Sequence, residues 1–288
     1  MALPSIADMI RTHEGGLSTG ERRVARALLA DYPAAGLETV RLLAERAGVS
    51  APTVLRFVGR LGFDNYPGFQ RRLLGELGER EQSPLAAYAS ARDDRRPDAD
   101  RAGLAASAAR TLGGAVRATL ESLPAFELDE AVRLMGEPEH RVVSWGGRFS
   151  RLLAQYLALH LMQVRGNAVT LPDTPVERAD LLAEAGRGDV FVVFDFRRYE
   201  AWSLHAAEEV SRREAKVVLL TDRWLSPISA VADVVLPVHV DSVSAYDSLV
   251  PAMAVCEALV AGVMDSLGGR AEERMRRFED ASRGFDLL

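Results

Sequence analysis

The spacing of apolar positions divides this chain into two regimes. Over residues 5–77 apolar side chains recur every three or four positions, the helical period. A helix is predicted from about Thr19 to Asp31, with Thr19 as N-cap and Val24, Leu28 and Leu29 as its apolar stripe. Two short helices with a tight turn between them are predicted over residues 39–63. Leu42, Leu43, Ala44 and Ala47 form the apolar side of the first. Gly48 sits where a chain leaving a helix takes positive φ, and Val49 plugs the turn. Ser50 is a good N-cap, and Pro52 falls in the first turn of the second helix, where a missing N–H costs little. Val54, Phe57 and Leu61 follow at i, i+3, i+7 and face inward. Thr53, Arg56 and Arg60 lie on another side, and Gly62 ends the helix.

From His140 the pattern changes to strands alternating with helices. Residues 141–145, 167–171, 189–196, 216–221 and 233–238 read as strands, the third as a buried one. Helices are predicted over Phe149–Val164, Val176–Ala185, Ala201–Arg213 and Ser248–Leu267. Strands separated by helices imply a doubly wound parallel sheet. The last helix is apolar on most faces, and a dimer interface is a natural place to bury it. Residues 81–103, with two prolines and clustered charges, read as a linker. Residues 104–136 hold two connecting helices, the second from Leu128 to Met135, and 269–288 form a tail. The predicted fold class is therefore α plus α/β: an all-helical domain over 1–80 and a doubly wound parallel-sheet domain over 137–268. No internal repeat is evident.

The turn-linked helix pair has the pattern of a helix-turn-helix, which places its second helix in the DNA major groove. Ser50, Ala51, Thr53 and Arg56 would then approach bases or phosphates, and Arg60 a phosphate. The alternative is an ordinary helical hairpin with a solvated charged face. Net charge is −6 over 288 residues, so the chain as a whole is no generic polyanion binder. Residues 1–80, however, hold 11 arginines against 9 acidic residues, which leaves the excess negative charge in the remainder. Such a balance suits a dimer whose local arginine patches add up on DNA. Lys216 is the only lysine, which says more about base composition than about function.

The segment LAERAGVSAPTVLRFVGRLGFDNYPGFQRRL resembles the amino-terminal domain of the RpiR/MurR transcriptional regulators, which show LA-x-x-x-x-VS-x-x-TV-x-RF-x-x-x-LGF followed by an aromatic, here Tyr66. LSTGERRVARALLADYP resembles the first helix of that family. The second half resembles the sugar isomerase (SIS) domain, through Gly146, Ser150 and the run Thr221, Asp222, Ser226, Pro227, Ala232, Asp233, Leu236. The resemblance implies a double-stranded DNA operator as partner, a homodimer or dimer of dimers, and a small anionic metabolite as effector.

In open α/β sheets ligands bind beyond the carboxyl ends of the strands, which points to residues 146–150, 195–200 and 221–226. The glycine-rich turn leads straight into a helix, whose N-terminus favours anions. Neither G-x-G-x-x-G nor a Walker-type run is present, and no cofactor is expected. Candidate ligand-binding residues are Gly146, Gly147, Arg148, Ser150, Asp195, Arg197, Arg198, Thr221 and Ser226. The chain departs from the SIS pattern in two places. The usual serine-rich loop after the third strand is replaced by FDFRRYE, and Arg148 stands at the second glycine position of the first turn. Guanidinium forks would hold an anion where hydroxyls did, or the arginines fill the old pocket, paired with Asp195 or Glu200.

Catalysis is not expected. His13, His140, His160, His205 and His239 are scattered without metal-ligand spacing, so no metal site is expected either. The competing enzyme reading, a sugar-phosphate isomerase, would use His205 with Glu200 or Glu209 as its base. A third reading is a regulator whose sheet domain only dimerises. A single cysteine, Cys256, excludes an intrachain disulfide. The N-terminus lacks a basic stretch followed by a long apolar core, and Glu257 interrupts the longest apolar run, so the expectation is cytoplasmic with no membrane partner.

Overall fold

A computed structural model describes residues 5–81, 83–93 and 103–284. The helical half contains α1 (Ile6–His13), α2 (Thr19–Ala30), α3 (Ala34–Leu37), α4 (Val40–Ala47), α5 (Ala51–Arg60) and α6 (Tyr66–Glu81). The sequence pattern did not predict α1, which buries Ile6, Ala7 and Ile10 in eight residues. Ser18, not Thr19, caps α2: its hydroxyl accepts from the Glu21 N–H, and the Glu21 carboxylate accepts from the Ser18 N–H (2.8 Å). This reciprocal pair satisfies two donors that the helix start leaves over. Gly48 ends α4 at φ 62°, the left-handed conformation anticipated for it. Val54, Phe57 and Leu61 are fully buried against Val24, Leu28, Leu43, Phe69 and Leu73, so the inward stripe is as predicted.

Two further helices, α7 (Pro84–Asp93) and α8 (Gly103–Ser122), occupy much of the stretch read as linker and connector. Residues 94–102 of that linker lie outside the described residues. After α9 (Ala125–Gly136) come β1 (Arg141–Gly146), α10 (Arg151–Val164), β2 (Ala168–Thr170), α11 (Pro175–Ala183), β3 (Asp189–Asp195), α12 (Ala201–Arg212), β4 (Lys216–Asp222), β5 (Val234–Val238), α13 (Val250–Leu267) and α14 (Gly269–Arg283). The five strands are parallel, in the order β2-β1-β3-β4-β5. All seven residues of β3 are buried, as a central strand covered on both faces requires. Val190, Val192 and Phe194 point toward α9, α10 and α13, and Phe191 and Val193 toward α12.

One expectation needs correction. The supposed tail is the fifteen-residue helix α14, which packs on α10 and α13. Val255, Leu259 and Val263 of α13 are buried within the chain, against α8, α9 and α10, while Val250, Glu257, Ala261, Asp265 and Ser266 stay exposed. That helix is long and apolar enough to cross a membrane, but its inner side is part of the sheet core.

The two halves touch directly. Leu225, in the loop after β4, adopts φ 56° and inserts into the core of the helical domain. The Ser5 hydroxyl donates to the Arg223 carbonyl (3.2 Å), and Arg223 pairs with Glu79 near the end of α6 (2.9 Å).

Candidate DNA-reading face and ligand crevice

Helix α5 presents Pro52, Leu55, Arg56, Gly59 and Arg60 to solvent, with Ser50 exposed just before it and Ala51 and Thr53 half-buried. Ser50 has N-cap backbone geometry but does not cap. Its hydroxyl instead lies 3.0 Å from that of Thr53, which also accepts from the Arg56 guanidinium (3.2 Å). Gly20 at the start of α2 explains the crossing of the two helices: a Cβ there would stand 3.0 Å from the Thr53 methyl. Arg60 donates from Nε to the Glu21 carboxylate (3.2 Å). Burial disfavours the charged form of Glu21, yet its hydrogen bonds to Ser18 and Arg60 outweigh that and hold its pKa below the ordinary value. Of the five residues predicted to meet DNA, Thr53, Arg56 and Arg60 share one side of α5, with Ser50 bonded to Thr53 and Arg60 braced by α2, whereas Ala51 lies on another side. Leu55 of α5 is exposed too. The sequence reading gave it no role.

Tyr66, the aromatic that follows the helix pair, is buried, and its hydroxyl donates to the carbonyls of Gly36 and Glu38 (both 3.1 Å). Burial, aided by the charge of Glu38, pushes its pKa up to about 12. It fastens α6 to the end of α3, just before the chain enters α4.

The second region lies at the carboxyl ends of β1 and β3, where the chain turns to opposite sides of the sheet. Two cavities of about 460 Å³ each open there. Gly147, Arg148 and Glu200 border both, with Arg148 Nε 3.6 Å from the Glu200 carboxylate. One cavity lies toward β2 and takes in Gly146, Arg151, Arg178 and Trp202. The other takes in Phe149, Ser150, Asp195, Arg197, Arg198 and Asp247.

Each predicted residue here has a definite place. Gly146 is required by close packing: a Cβ would stand 2.6 Å from the Ser150 carbonyl carbon and 2.7 Å from the Arg151 nitrogen. Ser150 accepts from the Gly147 N–H (2.8 Å) and donates to the Phe194 carbonyl (2.7 Å), tying the first loop to β3. Arg148 is 81% exposed. Arg198 sits at φ 71° on the cavity wall. Arg197 forms a bidentate pair with Asp247 and donates to the Glu79 carbonyl (2.9 Å). Its partner is therefore Asp247, not Asp195 or Glu200.

Asp195, Thr221 and Ser226 form a buried network beneath the loop. The Ser226 hydroxyl donates to Asp195 (2.5 Å), and Thr221 Oγ1 accepts from the Ser226 N–H (3.0 Å). Thr221 and Ser226 are fully buried and line neither cavity. Burial raises the pKa of Asp195 to about 7, with the charges of Asp222 and Glu200 acting in the same direction. Asp222 is likewise lifted by burial, to about 6, although it accepts from Tyr199, Trp224 and Arg197. Asp247 was not anticipated as a member of the site; it lies fifty residues beyond its arginine, with no motif to announce it. His205 stands 86% exposed on α12, 3.8 Å from Glu208, and lines neither cavity. Burial, with the charge of Glu257 nearby, pushes the Cys256 thiol up to about 12, so it is inert.

Comparison with known proteins matches residues 5–80 to the helix-turn-helix domain of the rpiR family and residues 137–262 to the SIS domain. The chain belongs to the RpiR family of transcriptional regulators. Among its relatives, the HTH-type transcriptional regulator HexR of Pseudomonas aeruginosa is 24% identical over 283 residues, covering 97% of this chain and 96% of HexR. The uncharacterized HTH-type regulator YfhH of Escherichia coli K12 is 26% identical over 212 residues, 74% of this chain and 73% of its own. In fold, the sugar isomerase domain of an RpiR transcription factor from Sphaerobacter thermophilus superposes with TM-score 0.58 at 22% identity, covering 62% of this chain and 99% of that one. The Vibrio vulnificus NanR protein, in complex with ManNAc-6P, superposes with TM-score 0.54 at 19% identity over 96% of this chain and 97% of its own. This RpiR-family chain is thus a transcriptional regulator with an N-terminal helix-turn-helix and a C-terminal SIS domain.

Proposed function

We propose that this regulator binds a near-palindromic operator as a dimer and that a small anionic metabolite in the SIS crevice changes its affinity for DNA. The observation that carries the reading is the arginine-lined crevice at the switch point of the sheet, with Arg148 and Arg198 on its walls beside the start of α10. Guanidinium groups and a helix N-terminus both favour anions. A sugar phosphate, the class of ligand bound by the Vibrio protein, is one member of that class; a related carboxylate is another. The dimer is supported by a stripe on one side of α10: Phe149, Leu152, Tyr156 and Leu159 recur at helical spacing, with Leu152 54% and Leu159 48% exposed. A second copy would cover it. Two α5 helices would then enter successive major grooves about one helical turn apart, or a multiple of it. The reading is of a cytoplasmic sensor, not an isomerase, since His205 is largely exposed and lines neither cavity. A footprint over the regions flanking the protein's own gene tests it. Protection of a two-fold site supports the reading, and its absence overturns it.

A further inference from the structure

The crevice and the helical domain share side chains at one place, the last turn of α6. The planar fork of Arg197 is divided between them. Nε and Nη2 hold the Asp247 carboxylate, and Nη1 holds the Glu79 carbonyl at 2.9 Å. The Arg197 amide donates to the buried Asp222 (2.5 Å), which also accepts from the Tyr199 hydroxyl (2.7 Å). The ring of Tyr199 in turn lies under the guanidinium of Arg80, 4.5 Å from its centre. Arg223 reaches the Glu79 carboxylate, and the guanidinium groups of Arg197 and Arg223 both stand over the indole of Trp224, at 5.2 and 4.6 Å. The loop after β3 therefore does two jobs: it walls the cavity shared by Arg197 and Asp247, and it grips the end of α6.

We propose that Arg197 is the link through which an anion in the crevice controls the helical domain: the anion takes the guanidinium from Asp247, and Arg197 releases the Glu79 carbonyl. This rests on the reading of the crevice as an anion site. A guanidinium fork is rigid and planar, so re-aiming one edge at a new partner turns the other edge away from its old one. A dianion offers Arg197 more charge than the carboxylate it replaces. The freed turn belongs to the helix that begins at Tyr66, whose hydroxyl holds the end of α3 just before the chain enters α4. Loosening α6 thus reaches the frame that holds α5. A ligand changes an equilibrium only by binding its two states differently, and here the difference is one arginine contact made or lost.

Inorganic phosphate is the probe, added to the full chain. Calorimetry reads its binding, and hydrogen exchange reads the amides of the last turn of α6. Phosphate is expected to speed exchange in that turn in the wild type. Asp247→Asn removes the competitor and should reach half effect at about tenfold lower phosphate. Arg197→Gln should show fast exchange without phosphate and no further response. Arg80→Ala, which removes only the stacking contact on Tyr199, should raise basal exchange and keep the response. The link is overturned if Asp247→Asn titrates like wild type, or if phosphate binds and the turn does not change. Phosphate that binds no variant overturns the link and the anion-site reading together, whereas phosphate that binds while the turn stays unchanged discards the link alone.

Discussion

Arg60 of α5 is bonded to Glu21 of α2 across 3.2 Å, and the same Glu21 closes the capping box on Ser18. One carboxylate therefore stabilises a helix start and aims an arginine. Glu21→Ala is expected to cost about 1 kcal/mol of stability through the lost cap. Arg60, freed from its brace, should also bind operator less tightly. Thermal unfolding and gel-shift titration measure the two effects separately.

Arg56 and Arg60 should differ in how they fail. Arg56→Ala is expected to weaken operator binding by roughly 1–3 kcal/mol and relax specificity at one position, as loss of a base contact would. Arg60→Ala should weaken specific and nonspecific DNA alike and reduce the salt slope by about 1, as loss of a phosphate contact would. Equal affinity of Arg56→Ala and wild type for the operator would show that α5 reads through another face.

Asp195 sets a pH dependence of stability. Its pKa is about 7 in the folded chain against an ordinary value of 3.8. Between those values the folded state binds more protons than the unfolded state, so stability falls as pH rises from about 4 to about 7 and then levels. Asp222, raised to about 6, acts in the same direction. Asp195→Asn should therefore lose less Tm between about pH 5 and pH 8 than wild type. A mutant that tracks wild type across that range would remove Asp195 as the cause.

Gly146→Ala forces a Cβ onto backbone atoms at 2.6 and 2.7 Å, where no side chain can yield. A cost of about 1–3 kcal/mol is expected, together with distortion of the loop that carries Arg148. Urea unfolding checks the first, and phosphate calorimetry the second. Gly59→Ala is the control, since nothing stands within 4 Å of its added carbon.

Leu152→Glu with Leu159→Glu should turn the proposed dimer into monomer in sedimentation velocity without unfolding it, because both side chains are already half exposed. A dimer that persists would place the interface elsewhere.

The sheet was legible because β3 carries an unbroken apolar run from Val190 to Phe194, the pattern of a strand covered on both faces. Val54, Phe57 and Leu61 were legible because the helical period is local. The misreadings arose where a choice depends on distant atoms. Ser50 has the composition of a cap, yet its hydroxyl turns to Thr53. Ser18 and Thr19 are both good caps by type, and only the reach of Glu21 decides between them. Helix α14 hid behind its charges, since GRAEERMRRFEDASR buries little more than Ala271 and Ser282. The arginines of FDFRRYE were visible as a departure, but their partners were not: Asp247 and the Glu79 carbonyl are brought to Arg197 only by the fold.

Leu225 has a consequence for anyone building hybrid regulators. It is carried by the sheet domain and spends its apolar surface inside the helical one. A chimera cut between the two domains would put a void where that side chain belongs, and a leucine-sized void costs roughly 2–5 kcal/mol. The transplantable module is therefore the helical domain together with a matching β4 loop, and new DNA specificities should be grafted onto α5 in place.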